Sequence, residues 1–162
     1  MVASTSLSAS YAVTGQLTEA DFGALALAGF TTVINFRPDQ EVEGQLASPD
    51  AERAARAAGL QYFHIPAAKF DLFADTVVAE AAAALDAATG ATLGYCASGQ
   101  RAAIVWAAAT ARVKPVDHVL SALKRAGFDF SFLRDDLEAQ AGRAHWDIKH
   151  AAAPQTPEMA VA

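Results

Sequence analysis

The chain has 162 residues, 53% of them hydrophobic and 19% charged, and it carries a formal net charge of −6. This length suits one domain with a buried core, and the composition excludes a disordered chain. Because the acidic balance includes no basic tract, neither nucleic acid nor an anionic membrane is expected as a partner. No run of about 18 apolar residues is present, so no transmembrane helix is predicted.

Cys96 is the only cysteine of the chain. An intrachain disulfide is therefore impossible, which indicates a reducing compartment. Residues 1–15 lack both the basic start and the apolar stretch of a secretion signal. We therefore expect a cytoplasmic protein, and the sequence leaves its oligomeric state open.

The predicted elements start with a short strand at residues 11–14. Thr18 and Asp21 have the spacing of a capping box, so a helix is expected from Thr18 to Gly29, a residue suited to the position that follows a helix. The β-branched and apolar segment 31–36 (TTVINF) then predicts a buried strand.

The middle of the chain repeats this order of helix and strand. Ser48 is predicted to be an N-cap, Pro49 suits the first helical position, and Gly59 ends the helix. Segment 60–65 (LQYFHI) is the next predicted strand, and a proline stops it.

The last part of the chain begins with a long alanine-rich helix, capped by Asp75 and ending near Gly90. A strand follows at 92–96 (TLGYC). Three further helices are expected, at residues 101–112, 115–126 and 131–141. Gly127 and Gly142 are expected to end the last two of them.

The alternation of strands and helices predicts an α/β fold, with a central, mostly parallel sheet of four to five strands flanked by helices. One domain is expected over residues 11–142, between a loose N-terminus at 1–10 and a flexible tail at 143–162. Ligands of such sheets bind beyond the carboxyl ends of the strands. Polar or reactive residues follow three predicted strands: Arg37 and Asp39, the segment from His64 to Asp71, and the segment from Cys96 to Arg101.

The segment YCASGQR at 95–101 is the motif that carries chemistry. A predicted strand leads to Cys96, Gly99 can take a left-handed backbone conformation, and a helix begins at Arg101. Backbone N–H groups in such a loop, together with the helix dipole, attract an anion and stabilise a thiolate. Arg101 offers a bidentate fork to an oxyanion. The alternative is that Cys96 is a small buried hydrophobe, but the combination of features favours function.

Four segments of the sequence resemble one known family. They are VTGQLTEADF (13–22), AGFTTVINFRPDQE (28–41), AGLQYFHIP (58–66) and YCASGQRAA (95–103). The chain is similar to the phosphatase-like domain of bacterial beta-lactamase hydrolase-like proteins, which is related to the dual-specificity protein phosphatases. The resemblance covers about residues 11–110 and implies a protein tyrosine phosphatase-like fold.

The resemblance also implies a cysteine-dependent phosphatase that hydrolyses phosphate monoesters of the phosphotyrosine or aryl phosphate type. Its substrate would be a phosphorylated small molecule or a phosphoprotein, and the Cys96 thiolate would form a phosphocysteine. Arg101 and the loop would hold the phosphate oxygens, and the loop residues are Ala97, Ser98, Gly99 and Gln100. No cofactor is implied, and the spacing of His118, His145 and His150 predicts no metal site.

The first departure from protein phosphatases is the length of the cysteine loop. Those enzymes place five residues between the cysteine and the arginine, whereas four separate Cys96 from Arg101. Four is the spacing of many rhodanese-type sulfurtransferases, and members of the family are described in both ways. A sulfurtransferase that carries a persulfide on Cys96 is therefore an alternative.

The second departure is the general acid. Dual-specificity phosphatases often carry an aspartate about three residues after an Ile-Pro pair such as Ile65-Pro66, and that position here is Lys69. We expect Asp71 to act as the acid, with Asp75 as a substitute, although a loop or N-cap role is an alternative for Asp71. The missing acid also leaves open a second alternative, a non-catalytic phosphate-binding module.

Two further residues follow predicted strands or lie in them. Arg37 is expected either to bind the substrate or to hold its own loop through an ion pair. His64 is expected to be a hydrogen-bonded core histidine rather than a catalytic one.

Overall fold

The computed structural model describes the backbone of residues 1–151 and the side chains of residues 1–143. Its sheet has five strands: β1 (Thr5–Ser6), β2 (Tyr11–Thr14), β3 (Thr32–Asn35), β4 (Gln61–His64) and β5 (Thr92–Tyr95). Their order is β1-β2-β5-β3-β4, with β1 antiparallel to β2 and every other pair parallel. The predicted α/β fold with a mostly parallel sheet is therefore confirmed.

Helices cover both faces of this sheet. They are α1 (Glu19–Leu27), α2 (Ser48–Ala57), α3 (Asp75–Ala87), α4 (Gln100–Ala111), α5 (Val116–Arg125) and α6 (Arg134–Ala151), with a 3₁₀ turn at Ser131–Leu133. One hydrophobic cluster joins α1 and α2 to the sheet, and a larger one joins α3, α4, α5 and α6 to it. No helix among the described residues is both long enough and apolar enough to cross a membrane.

Several predicted helix ends are confirmed at the residues that were expected to form them. The backbone N–H of Thr18 donates to Asp21 Oδ2 at 2.7 Å, which completes the capping box of α1. Gly29 and Gly59 follow α1 and α2 with φ angles of +97° and +80°. Their positive φ angles explain why glycine suits both positions.

Two predicted N-caps are wrong by one residue. Ser48 and Asp75 are the first helical residues of α2 and α3, and alanines precede them as caps. The hydroxyl of Ser48 shares a hydrogen bond with the hydroxyl of Tyr62 at 2.9 Å instead of capping its helix. Asp75 instead accepts hydrogen bonds from Arg112 and Arg143. In both cases a tertiary partner competes with the local cap.

The two chain ends also differ from expectation. Residues 1–10 are not loose throughout, because β1 pairs with β2 and Leu7 is buried. Gly142 does not end α6, which continues to Ala151 through a sequence rich in helix-forming residues. The rest of the predicted tail, 152–162, lies outside the described residues, as do the side chains of His145 and His150.

The parallel register brings the predicted site segments to one edge of the sheet. Tyr95, the last residue of β5, lies beside Thr14 of β2 and Asn35 of β3. The chain segments that follow these strands therefore leave the sheet side by side, and they include Cys96 and Arg37. This edge is where the strand order predicts a ligand.

Candidate active site

Strand β5 delivers Cys96 to the carboxyl edge of the sheet. All four residues of this strand are buried, and the carbonyl oxygen of Tyr95 accepts a hydrogen bond from the N–H of Phe36 at 2.9 Å. The side chain of Cys96 has no solvent exposure. Its neighbours Ala97 and Ser98 are exposed, so the sulfur lies directly beneath a loop at the surface.

The loop after Cys96 bends back so that a backbone amide contacts the sulfur. The N–H of Gly99 donates to Cys96 Sγ at 3.1 Å. Gly99 has a φ of +92°, and a Cβ added there would lie 3.3 Å from the carbonyl oxygen of Thr14. Both the left-handed backbone and the limited space favour glycine. A second backbone contact holds the same loop, because the N–H of Gln16 donates to the carbonyl of Ala97 at 3.3 Å.

Helix α4 begins at Gln100, directly after the turn at Gly99, and places Arg101 in its first turn. Arg101 is only 8% exposed. Its Nη1 donates to Glu41 Oε2 at 2.9 Å and to the carbonyl of Ala67 at 3.0 Å, and its Nη2 donates to Glu41 Oε1 at 2.7 Å. The positive end of the α4 dipole and this guanidinium lie at the same end of the helix.

These contacts use three of the five N–H groups of the guanidinium. The Nε–H and the second Nη2–H make no hydrogen bond to a carboxylate or carbonyl group among the described residues. The hydrogen bonds and charge of Glu41 raise the pKa of Arg101, and Cys96 adds to this effect in the same direction. Arg101 therefore interacts with both Glu41 and Cys96, and its Nε–H and one Nη2–H lack a carboxylate or carbonyl partner among the described residues.

Glu41 joins the two arginines of the site. It accepts a hydrogen bond from Arg37 Nε at 2.8 Å as well as the pair from Arg101. The hydrogen bonds from Arg101, followed by the one from Arg37, lower the pKa of Glu41 to about 2 despite the partial burial of its side chain. Glu41 is therefore a carboxylate at every pH at which the protein would normally be handled.

Sequence reasoning did not single out Glu41 or Gln16. Both lie in segments that carry the family resemblance, but neither belongs to the cysteine motif. Gln16 Oε1 accepts from Arg37 Nη1 at 3.0 Å. The only local signal is that the oppositely charged Arg37 and Glu41 lie four residues apart in one loop, and this does not reveal the contact of Glu41 with Arg101.

Arg37 is buried, and its hydrogen bonds hold the loop after β3. Besides its contacts with Glu41 and Gln16, its backbone N–H donates to Asn35 Oδ1 at 2.9 Å. The ion pair that was one of its two predicted roles is confirmed, and contact with a substrate stays a prediction. The carbonyl of Arg37 bonds to Nε2 of His64 at 2.9 Å, as expected for a hydrogen-bonded histidine.

Asp39 lies in the same loop and points to a structural partner. Its Oδ1 accepts a hydrogen bond from the backbone N–H of Ser48 at 2.8 Å, at the start of α2. This contact satisfies one of the free N–H groups at the start of the helix. Asp39 therefore anchors α2 to the end of β3.

The predicted acids lie in different surroundings. Asp71 is exposed in the loop between β4 and α3, and its carboxylate has no partner among the described residues. This loop starts next to the site, because Ala67 both accepts from Arg101 and donates to the carbonyl of Phe36. Asp75 pairs with Arg112, the residue that follows α4. Arg112 is eleven residues after Arg101, a distance of about 16 Å along the helix axis, so Asp75 lies far from Arg101.

The sequence of the chain matches a known protein family. The family model described as beta-lactamase hydrolase-like protein, phosphatase-like domain, matches residues 4–113. A beta-lactamase hydrolase-like protein of Xylella fastidiosa is 31% identical over 133 residues, which cover 80% of this chain and 30% of the relative. The chain therefore spans less than a third of that relative's length, and the resemblance found in the sequence is confirmed.

Solved structures share the fold. A candidate phosphatase from Neisseria meningitidis superposes with a TM-score of 0.71 at 28% identity, over 84% of this chain and 96% of the other. A mutant form of Tk-PTP superposes with a TM-score of 0.67 at 16% identity, over 89% of this chain and 97% of the other. The protein tyrosine phosphatase-like fold that the resemblance implied is therefore confirmed.

Proposed function

Because this chain belongs to the family of beta-lactamase hydrolase-like protein phosphatase-like domains, we propose that it is a cysteine-dependent phosphatase acting on phosphate monoesters. The observation that carries the proposal is the pairing of Cys96 with Arg101 across one loop. The sulfur accepts an N–H of this loop, and the guanidinium keeps one side unoccupied by carboxylate or carbonyl groups. Such a pair suits an attacking thiolate and a bound oxyanion.

The reaction proceeds in two displacements. The Cys96 thiolate attacks phosphorus, the P–S bond forms, and the P–O ester bond breaks to release the alcohol. Water then attacks the phosphocysteine, and inorganic phosphate and the thiolate are regenerated. During both steps Arg101 and the loop residues hold the phosphate oxygens, and these residues are Ala97, Ser98, Gly99 and Gln100.

Asp71 is the acid of this proposal. It protonates the leaving oxygen in the first step and takes a proton from water in the second. Its support is its place in the loop that leaves the site at Ala67, and its carboxylate, which is bound to no other described residue. Asp75 is a weaker candidate because two arginines already hold it.

The substrate is a phosphorylated small molecule or a phosphoprotein with a phosphotyrosine or aryl phosphate group. The phenolate of an aryl phosphate is a good leaving group and depends less on protonation than an alkoxide does. This suits a site whose acid lies on an exposed loop. A cytoplasmic location is part of the proposal, since a thiolate nucleophile must stay reduced.

A rhodanese-like sulfurtransferase is the second candidate, and the loop length favours it. Four residues separate Cys96 from Arg101, one fewer than in protein phosphatases. In that reaction the Cys96 thiolate attacks the outer sulfur of thiosulfate, the S–S bond of the donor breaks, and sulfite leaves. Cyanide then takes the outer sulfur of the Cys96 persulfide as thiocyanate, and the thiolate is regenerated. Asp71 would have no role, because no alcohol leaves.

One experiment separates these reactions. Wild type and Cys96→Ser are assayed in parallel for hydrolysis of 4-nitrophenyl phosphate and for thiocyanate formation from thiosulfate and cyanide. We expect hydrolysis by the wild type in the presence of a chelator, and at least about a thousandfold loss in Cys96→Ser. Rapid quenching should trap one phosphoryl group on Cys96.

Two results would contradict the proposal. Hydrolysis that survives in Cys96→Ser would remove the cysteine from the mechanism. Thiocyanate formation without hydrolysis, together with a mass increase of one sulfur atom on Cys96, would establish the second candidate instead. Glu80→Gln, which changes an exposed side chain of α3 without a partner among the described residues and leaves the thiol and its loop in place, serves as the control for protein quality.

A further inference from the structure

A cavity of about 1080 Å³ opens at the edge of the sheet opposite Cys96. Tyr11 and Thr92, the first residues of β2 and β5, line this distal cavity, whereas Cys96 follows the last residue of β5. The ends of α3 and α4, one side of α5 and the turn between β1 and β2 complete its walls. Its volume is slightly above the range of roughly 300–1,000 Å³ that is typical of small-molecule pockets.

The inner wall of the distal cavity is apolar and aromatic. Trp106 and Tyr11 stack there with their ring centroids 5.7 Å apart and an interplanar angle of 14°. Leu7 and Leu85 extend the apolar surface, and Val113, which is 80% exposed, lies at the rim. A ligand that fills this space would gain mainly from removing apolar surface from water.

The rim of the distal cavity is basic, in contrast to the chain as a whole. Lys114, His118 and Arg125 line it, are exposed, and make no ion pair with any described residue. Arg112 also lines it but is held by Asp75, and Asp86 is the one acidic residue of the lining. In a chain with a net charge of −6, this concentration of unpaired basic groups is a local exception.

Basic residues often follow helix C-termini, where they offset the helix dipole. Lys114 and Arg125 occupy such positions after α4 and at the end of α5. Their convergence on one apolar cavity is a separate feature, because the dipole effect requires no cavity and no shared direction. Charge complementarity then selects a negatively charged ligand.

We propose that the distal cavity binds an amphipathic monoanion of the fatty-acid type. Its acyl chain lies against Trp106 and Tyr11, and its carboxylate lies at the rim formed by Lys114, His118 and Arg125. An uncharged molecule of the same shape would leave the basic rim without a partner, and a cationic one would be repelled by it. Cys96 does not line the distal cavity, so the proposal does not depend on the proposed phosphatase activity.

The test measures binding of dodecanoate by tryptophan fluorescence. The experiment uses the full chain with Trp146→Phe, so that Trp106 is the only tryptophan. We expect saturable quenching or shift of the Trp106 emission at submicellar dodecanoate, with a stoichiometry of one by calorimetry. The double variant Lys114→Glu with Arg125→Glu should weaken binding about tenfold, because it reverses two rim charges.

The control variant is Lys124→Glu, next to Arg125 on α5 but outside the cavity lining. It should bind dodecanoate as the parent does, whereas the single variant Arg125→Glu, which makes the same change in net charge at the rim, should weaken binding. This comparison separates a rim effect from a change in overall charge. A second variant, Ala82→Phe, fills the cavity from the half-buried face of α3 and should abolish binding while leaving the circular dichroism spectrum unchanged.

Three results would overturn the proposal. They are the absence of binding up to the micellar limit, equal binding of dodecyltrimethylammonium, and equal weakening by Lys124→Glu and the double variant. Because binding is read directly, none of these results bears on catalysis at Cys96.

Discussion

Both carboxylate oxygens of Glu41 accept hydrogen bonds from Arg101, at 2.7 Å and 2.9 Å. This bidentate contact fixes the plane of the guanidinium, and the carbonyl of Ala67 adds a third bond to the same side. The Nε–H and one Nη2–H are left without a carboxylate or carbonyl partner among the described residues, and Cys96 also interacts with this guanidinium. Under the proposed function, Glu41 is therefore a positioning residue that acts on the substrate phosphate through Arg101.

The first prediction concerns Glu41→Gln. A glutamine has one acceptor oxygen, and its amide N–H₂ faces the N–H groups of Arg101, so the bidentate contact cannot form. We expect kcat/KM for 4-nitrophenyl phosphate to fall by about tenfold to a hundredfold, since hydrogen bonds to charged groups contribute about 1.5–3 kcal/mol each. Steady-state kinetics on the variant measures this change.

The control for this variant is Glu43→Gln, which removes the same charge two residues away. The side chain of Glu43 is exposed and has no partner among the described residues. It should keep the activity of the wild type. Equal losses in the two variants would indicate a general charge effect, and an unchanged Glu41→Gln would remove Glu41 from the site's function.

The second prediction concerns stability in acid. The pKa of Glu41 is lowered to about 2 from an ordinary value of 4.5 by its two arginine partners, so the folded state favours the carboxylate. The stabilisation from this group is complete above pH 4.5 and is lost as the pH falls towards 2. The difference in Tm between wild type and Glu41→Gln should therefore be constant near neutral pH and shrink between these values. Thermal unfolding followed by circular dichroism across this range measures it, and a difference independent of pH would contradict the assignment.

Local patterns in the sequence predicted those features that depend on neighbours along the chain. The loop from Cys96 to Arg101 was predictable because strand, glycine, arginine and helix follow one another directly. The contact between Glu41 and Arg101 was not, because 60 residues separate them and only the parallel register of β3 and β5 brings them together. The N-cap prediction for Ser48 was wrong for the same reason, because the hydroxyl of Ser48 hydrogen-bonds to Tyr62 of the distant strand β4.

The third prediction concerns the turn that presents an N–H to the sulfur. Gly99→Ala places a Cβ on a residue with φ +92°, at 3.3 Å from the carbonyl oxygen of Thr14. This strain should cost about 1–2 kcal/mol of unfolding free energy, and the shifted N–H should lower kcat/KM about tenfold. Chemical denaturation and steady-state kinetics on the same preparation measure both effects.

Gly23→Ala is the matched substitution, because Gly23 is exposed in α1 and nothing lies within 4 Å of the added Cβ. It should stabilise the protein by about 0.5–1 kcal/mol without changing kcat/KM. If Gly99→Ala behaved like Gly23→Ala, the backbone at Gly99 would not matter for the contact with Cys96.

The last prediction distinguishes the two aspartates proposed as acids. Asp71→Asn should lower kcat for an alkyl phosphate by about a hundredfold or more, because an alkoxide needs a proton to leave. The loss for 4-nitrophenyl phosphate should be much smaller, since nitrophenolate leaves without help. Asp75→Asn should change neither rate, and because its ion pairs with Arg112 and Arg143 are partly exposed, it should cost at most about 1 kcal/mol of stability. Equal losses on both substrates in Asp71→Asn would mean that this carboxylate shapes the loop rather than donating a proton.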